Sequence, residues 1–154
     1  MTGWWRGDAV RLRAGGLVIG AVLVTGVLSA CGGGTPSPPA ASSTVAHAGT
    51  VTTAPDGVQE VTLQTQDDYV FTPATFTVKP GRVRLTVVNV ATQLTHNFRF
   101  TPGKGPAEIP EDIPLLAPGD RKTIEFTVQS PGSYRFECSF HVQLGQVGTM
   151  RVGG

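Results

Sequence analysis

Between Gln59 and Val152 the chain alternates apolar and polar residues almost throughout. Val61 and Leu63, Phe76 and Val78, Val83, Leu85 and Val87, Phe98 and Phe100, Ile124, Phe126 and Val128, and Tyr134 and Phe136 each set apolar side chains two positions apart. A period of two lines one face of a strand, whereas a helix needs spacings of three and four. Thr and Val, which suit a pleated, half-buried surface, dominate these runs. Turns divide them at Asp67-Asp68, Pro80-Gly81, Pro118-Gly119 and Pro131-Gly132; in the last three, Pro fixes φ and Gly accepts a positive one. Many short strands with no sustained helical pattern predict an all-β fold, a sandwich of two sheets. Thr101 to Leu116 interrupts the pattern with Pro102, Pro106, Pro110 and Pro114. An irregular excursion with at most one helical turn is expected there.

The N-terminal part follows different rules. Arg6, Arg11 and Arg13 precede an apolar run from Leu17 to Leu28, which ends in Leu28-Ser29-Ala30-Cys31. Positive, apolar and small residues in that order make a secretory signal. The run falls short of the roughly 20 residues of a comfortable membrane span, which favours a cleaved signal peptide over 1–30 against an uncleaved anchor. Leu-Ser-Ala-Cys also resembles a bacterial lipobox. The resemblance implies that Cys31 is lipidated, becomes the mature N-terminus and holds the protein at the extracytoplasmic face of the bacterial cell membrane. Residues 31–58 are rich in Gly, Pro, Ser, Thr and Ala, with Asp56 as their one charge. That composition predicts a disordered tether that sets location and adds nothing to stability, with His47 an unstructured surface histidine inside it. Residues 59–154 remain as the single domain able to build a core.

The chain has two cysteines. In an exported protein a Cys31–Cys138 disulfide would be the simplest use for them, but Cys31 sits in a floppy leader. Cys138 is then a lone thiol in an oxidising compartment, explained either by metal ligation or by burial as a small hydrophobe. It shares parity with Tyr134 and Phe136, so it emerges inward at a strand end, and His141 follows it closely. With His96 upstream, the set is one thiolate and two imidazoles. Soft sulfur suits Cu(I) and imidazole suits Cu(II), so this set serves both states of a one-electron copper couple.

Cys-x2-His alone is weak evidence, since zinc sites produce it too. The ordered set carries more: His96-Asn97 ahead of Phe98-Arg99-Phe100, the Cys138–His141 loop, the Phe71 to Gly81 stretch, and the turns at Ala117-Pro118-Gly119-Asp120 and Pro131-Gly132-Ser133-Tyr134. Over Gln59–Val152 the chain resembles the cupredoxin family of type 1 (blue) copper proteins, in its plastocyanin-like branch. That resemblance implies a cupredoxin-like Greek-key β-sandwich and one copper held by His96, Cys138 and His141. It further implies that Asn97 ties the two ligand-bearing loops together and that the edge of His141 passes the electron. Laid on the family's ligand loop without gaps, Gln146 falls where a weakly bound axial methionine usually stands, and some members carry glutamine there. Met150 is the rival, although within Val147–Val152 it reads as an apolar strand residue; a site with no axial side chain is the third alternative.

The expected function is single-electron transfer between extracytoplasmic redox proteins, by a monomer. Phe140, Val142 and Leu144 would form a docking patch if exposed. The alternative is a copper-binding or copper-trafficking lipoprotein. An enzyme is not expected, because copper oxidases and nitrite reductases need additional histidines and this chain has three, one of them in the tether. The formal net charge of +1, with acidic and basic residues balanced along the domain, argues against a nucleic-acid partner.

Overall fold

The structure, a computed structural model, describes residues 45–154; the signal peptide, Cys31 and the first part of the tether lie outside the described residues. Ten strands follow one another: β1 (Thr52–Thr53), β2 (Gln59–Thr65), β3 (Phe71–Thr72), β4 (Thr75–Val78), β5 (Gly81–Asn89), β6 (His96–Phe100), β7 (Asp112–Leu116), β8 (Arg121–Val128), β9 (Gly132–Glu137) and β10 (Val147–Val152). One sheet runs β1-β2-β5-β8, with β3 also paired to β2, and the other runs β4-β10-β9-β6-β7. The β2/β5 and β10/β4 pairs are parallel and the rest antiparallel. The result is the expected all-β Greek-key sandwich.

Alternation decides which side of each strand meets the other sheet. In β5, Val83, Leu85, Val87 and Asn89 are buried and the residues between them are not. Phe71, Phe98 and Phe136 meet at the centre, with ring centroids 5.2–5.9 Å apart, as edge-on and offset aromatic contacts prefer. Close packing also explains a glycine: a Cβ on Gly148 would lie 2.2 Å from the Phe136 ring. Tyr134 closes the far end of β9, its hydroxyl donating to the Ser130 carbonyl.

Two expectations need correction. The Thr101–Leu116 excursion contains a strand, β7, which pairs with β6 and buries Ile113 and Leu116. Pro114 sits in it without harm because β7 is an edge strand, where a missing N–H is tolerated. The tether is also shorter than its composition suggested. Gly49 N donates to Thr62 O, Val45 N donates to the Gln64 side chain, β1 pairs with β2, and Val51 packs against the core. Val58 is fully buried. His47 sits exposed in an ordered turn, where its carbonyl accepts from Thr50 N. An edge strand holds by backbone pairing, so a segment poor in apolar residues can still dock.

Removing residues 45–57 is therefore expected to lower stability by about 2 kcal/mol, the scale of a few net hydrogen bonds and one half-buried valine. Denaturant midpoints of chains beginning at residues 45 and 58 measure it. Identical midpoints would return this segment to the tether.

Candidate metal centre

The site forms at one end of the sandwich, where β6 and the β9–β10 loop come together. β6 carries a register shift between His96 and Phe98. A bulge of this kind re-aims side chains, and here His96, Asn97 and Phe98 are all buried, against simple alternation. β9 delivers Cys138 just past its end, fully buried. The chain then turns back through a short 3-10 segment, Val142–Leu144. Gly145 ends it with φ 91°, a left-handed conformation that glycine adopts without strain. Backbone bonds close the loop: His141 N to Cys138 O, Gln146 N to His141 O and Cys138 N to Gln146 O, at 3.1, 3.2 and 3.1 Å.

This loop brings the expected residues together. Among the described residues, His96, Cys138 and His141 offer ligand atoms within 4.8 Å of one another. Cys138 Sγ lies 3.5 Å from His141 Nδ1 and 4.0 Å from His96 Nδ1, and the two Nδ1 atoms are 3.3 Å apart. Ligand atoms bound tetrahedrally at about 2.0–2.3 Å would stand roughly 3.3–3.8 Å from one another, so these spacings suit a single ion. Gln146 is buried, its Oε1 lying 2.8 Å from His96 Nδ1 and 3.1 Å from His141 Nδ1. Met150, also buried, belongs to the hydrophobic core from within β10.

The donor set also fits a cation chemically. His96 Nε2 faces the Gln66 carbonyl at 3.0 Å. A carbonyl only accepts, so Nε2 carries the proton and Nδ1 presents a lone pair. That lone pair confronts those of Gln146 Oε1, and a positive ion between them resolves the repulsion. Burial, the largest influence, holds the His96 imidazole below its ordinary pKa, opposed by the Gln146 oxygen, which would accept from a protonated ring; a neutral imidazole is what a metal requires.

Surrounding contacts fix these groups. Asn97 donates from Nδ2 to Ser139 Oγ at 2.6 Å and accepts from Ser139 N at 2.7 Å, joining β6 to the ligand loop, while its own N–H points at Cys138 Sγ at 3.4 Å. Beside Cys138, burial would raise the Glu137 pKa, but hydrogen bonds from Arg99 and Thr101 overturn that and leave it below the ordinary value. Several supporting residues escaped the sequence reading. Thr65 accepts from Gln146 Nε2 at 2.9 Å, Gln66 holds His96 by its carbonyl, and the Tyr69 ring lies 5.0 Å from that of His141. Asn89 donates to Leu94 O and Leu116 O and accepts from Ala91 N, shaping the approach to β6.

Asp67 secures this end of the molecule. Its carboxylate accepts from the backbone and hydroxyl of Thr92 and from Gln93 N and Leu94 N, which lowers its pKa from 3.8 to about 2, the Thr92 backbone bond contributing most. A lowered folded-state pKa gives stability that is complete above 3.8 and fades as pH falls toward about 2. Acid titration of the denaturation midpoint should therefore show a steeper loss in that window for the native chain than for Asp67→Asn. Coincident curves would refute the clamp.

Comparison with known proteins agrees with this arrangement. The profile of the cupredoxin-like domain matches residues 39–150. A plastocyanin from Nostoc punctiforme is 34% identical over 92 residues, a match covering 54% of this chain and 65% of the plastocyanin. A reduced auracyanin from the photosynthetic bacterium Roseiflexus castenholzii superposes with a TM-score of 0.54 at 25% identity, over 62% of this chain and 97% of its own. Auracyanin B shares the fold, with a TM-score of 0.55 at 20% identity, over 70% and 97% of the two chains. A β-sandwich with a thiolate and two imidazoles gathered at one end is the architecture of a type 1 copper protein. This chain belongs to the cupredoxin-like domain family, and its cofactor is one copper ion.

Proposed function

We propose that this protein carries single electrons between extracytoplasmic redox proteins, with His96, Cys138 and His141 as copper ligands, Gln146 as the axial donor and lipid on Cys31 as its membrane attachment. The observation that supports this most is the convergence of four electron-pair donors from β6 and one loop. Bound among them, copper supplies a Cu(I)/Cu(II) couple. The chain's part is to keep the donors from rearranging between the two states, and the closed loop, the Asn97–Ser139 pair and the Gln66 carbonyl all restrain that motion.

A route for the electron is supported by exposure. His141 is half-buried, while neighbouring Phe140 and Leu144 are 51% and 60% exposed. Apolar surface around a half-buried ligand suits brief, small-area redox encounters. The lipid attachment rests on the sequence alone; a mature mass corresponding to lipidated Cys31 at the N-terminus would support it, and any other start would exclude it.

Titration of residues 45–154 with Cu(II), followed by voltammetry, tests the carrier reading. An intense blue thiolate band, narrow parallel hyperfine splitting and a reversible one-electron wave are expected. Loss of Cu(I) to a mild chelator, with no reversible wave, would favour trafficking.

A further inference from the structure

In β2, Val61, Leu63 and Thr65 stand on one inward row, and the third is polar although fully buried. Valine has the same shape and would normally be preferred there, since a buried hydroxyl is unfavourable without a partner. The Thr65 backbone is held on both sides, in register with Phe71 of β3 and Asn89 of β5, and its carbonyl accepts from Val90 N. The hydroxyl is thus a fixed point. Its partner is the Gln146 amide, 81 residues away in sequence, whose Nε2 donates to Thr65 Oγ1 at 2.9 Å.

We propose that Thr65 is the positioning residue for the axial donor: by accepting from Gln146 Nε2 it turns Oε1 toward the ligand cluster and so helps set the reduction potential. This rests on the reading of Gln146 as axial. An amide has two faces, and only its oxygen offers an electron pair to a metal. Without the Thr65 acceptor, the buried NH2 group lacks a partner and nothing fixes the rotation of the amide. A turned amide takes the oxygen away from the centre. An oxygen donor favours Cu(II), so its loss favours Cu(I).

Thr65→Val keeps the shape and removes the acceptor; Thr65→Ser keeps the acceptor and removes only a methyl group. The copper-loaded Thr65→Val protein should show a raised reduction potential, in the same direction as Gln146→Met and smaller. Thr65→Ser should restore the native value. In a Gln146→Met background, Thr65→Val should no longer move the potential. Independently of copper, hydrogen exchange of the Gln146 side-chain amide should accelerate in the metal-free Thr65→Val protein. A native potential in Thr65→Val, or an equal shift with Met at the axial position, would overturn the inference while leaving Gln146 as the donor. If Gln146→Met itself leaves the potential unchanged, the axial reading fails and takes this inference with it. Should Thr65→Val not fold, Thr65→Ala gives the same comparison.

Discussion

Cys138→Ser is expected to yield a folded sandwich with no blue band. Serine nearly matches cysteine in size, so the core around a fully buried position should hold, with a stability change of about 1 kcal/mol. The chemistry changes far more, because a hydroxyl does not ionise near neutrality and cannot supply the sulfur-to-copper transition. Removing an outer contact to a metal ligand already weakens binding by about 10–100-fold, so loss of the thiolate itself should exceed about 100-fold. Cu(II) titration followed by absorption, paired with denaturation of the metal-free protein, separates the two effects. If the blue band survives, Cys138 is a buried filler after all, and the 3.4 Å approach of Asn97 N to its sulfur is mere packing.

The second large effect is expected from Gln146→Met. A thioether is a softer donor than an amide oxygen, so the substitution should favour Cu(I) and raise the reduction potential with the blue colour retained. For one electron, each tenfold change in relative affinity for the two states is about 59 mV, and a shift of at least that size is expected in voltammetry. Met150→Ala provides the opposite signature. Met150 is fully buried in the core, and its truncation should cost about 2–5 kcal/mol while leaving spectrum and potential nearly unchanged. If Met150→Ala moves the potential and Gln146→Met does not, the axial assignment passes to Met150.

Much of this could be read from the sequence because it is written locally. Period-two runs announce β2, β5, β8 and β9, and Cys138 and His141 sit three apart on one loop. Gln146 is picked out only by the resemblance of that loop to the family's ligand loop. What escaped was either unpatterned or remote. β7 has only Ile113 and Leu116 as inward residues among prolines, too few to show a period. The docked segment around β1 was hidden because its attachment is by backbone, to which composition is blind. Thr65, Gln66, Asp67 and Tyr69 form one short stretch that supports or clamps the metal end from across the molecule. A carbonyl such as that of Gln66 leaves no trace in residue identity.

The place of β10 between β4 and β9 has a consequence for how the protein is made. Of the sandwich's strands it leaves the ribosome last, yet β4 has no other partner in its sheet and reaches β9, which pairs otherwise with β6, only through it. That sheet can close only after Val152 is available. Cys138, His141 and Gln146 all flank the entrance to β10, so a growing polypeptide holds an exposed thiol with no assembled ligand partners. The full ligand set is then complete only after the final folding step, and oxidation of that thiol is a hazard of the interval. Newly made protein should accordingly pass through a copper-free, oxidant-sensitive stage whose duration is set by closure of the sheet.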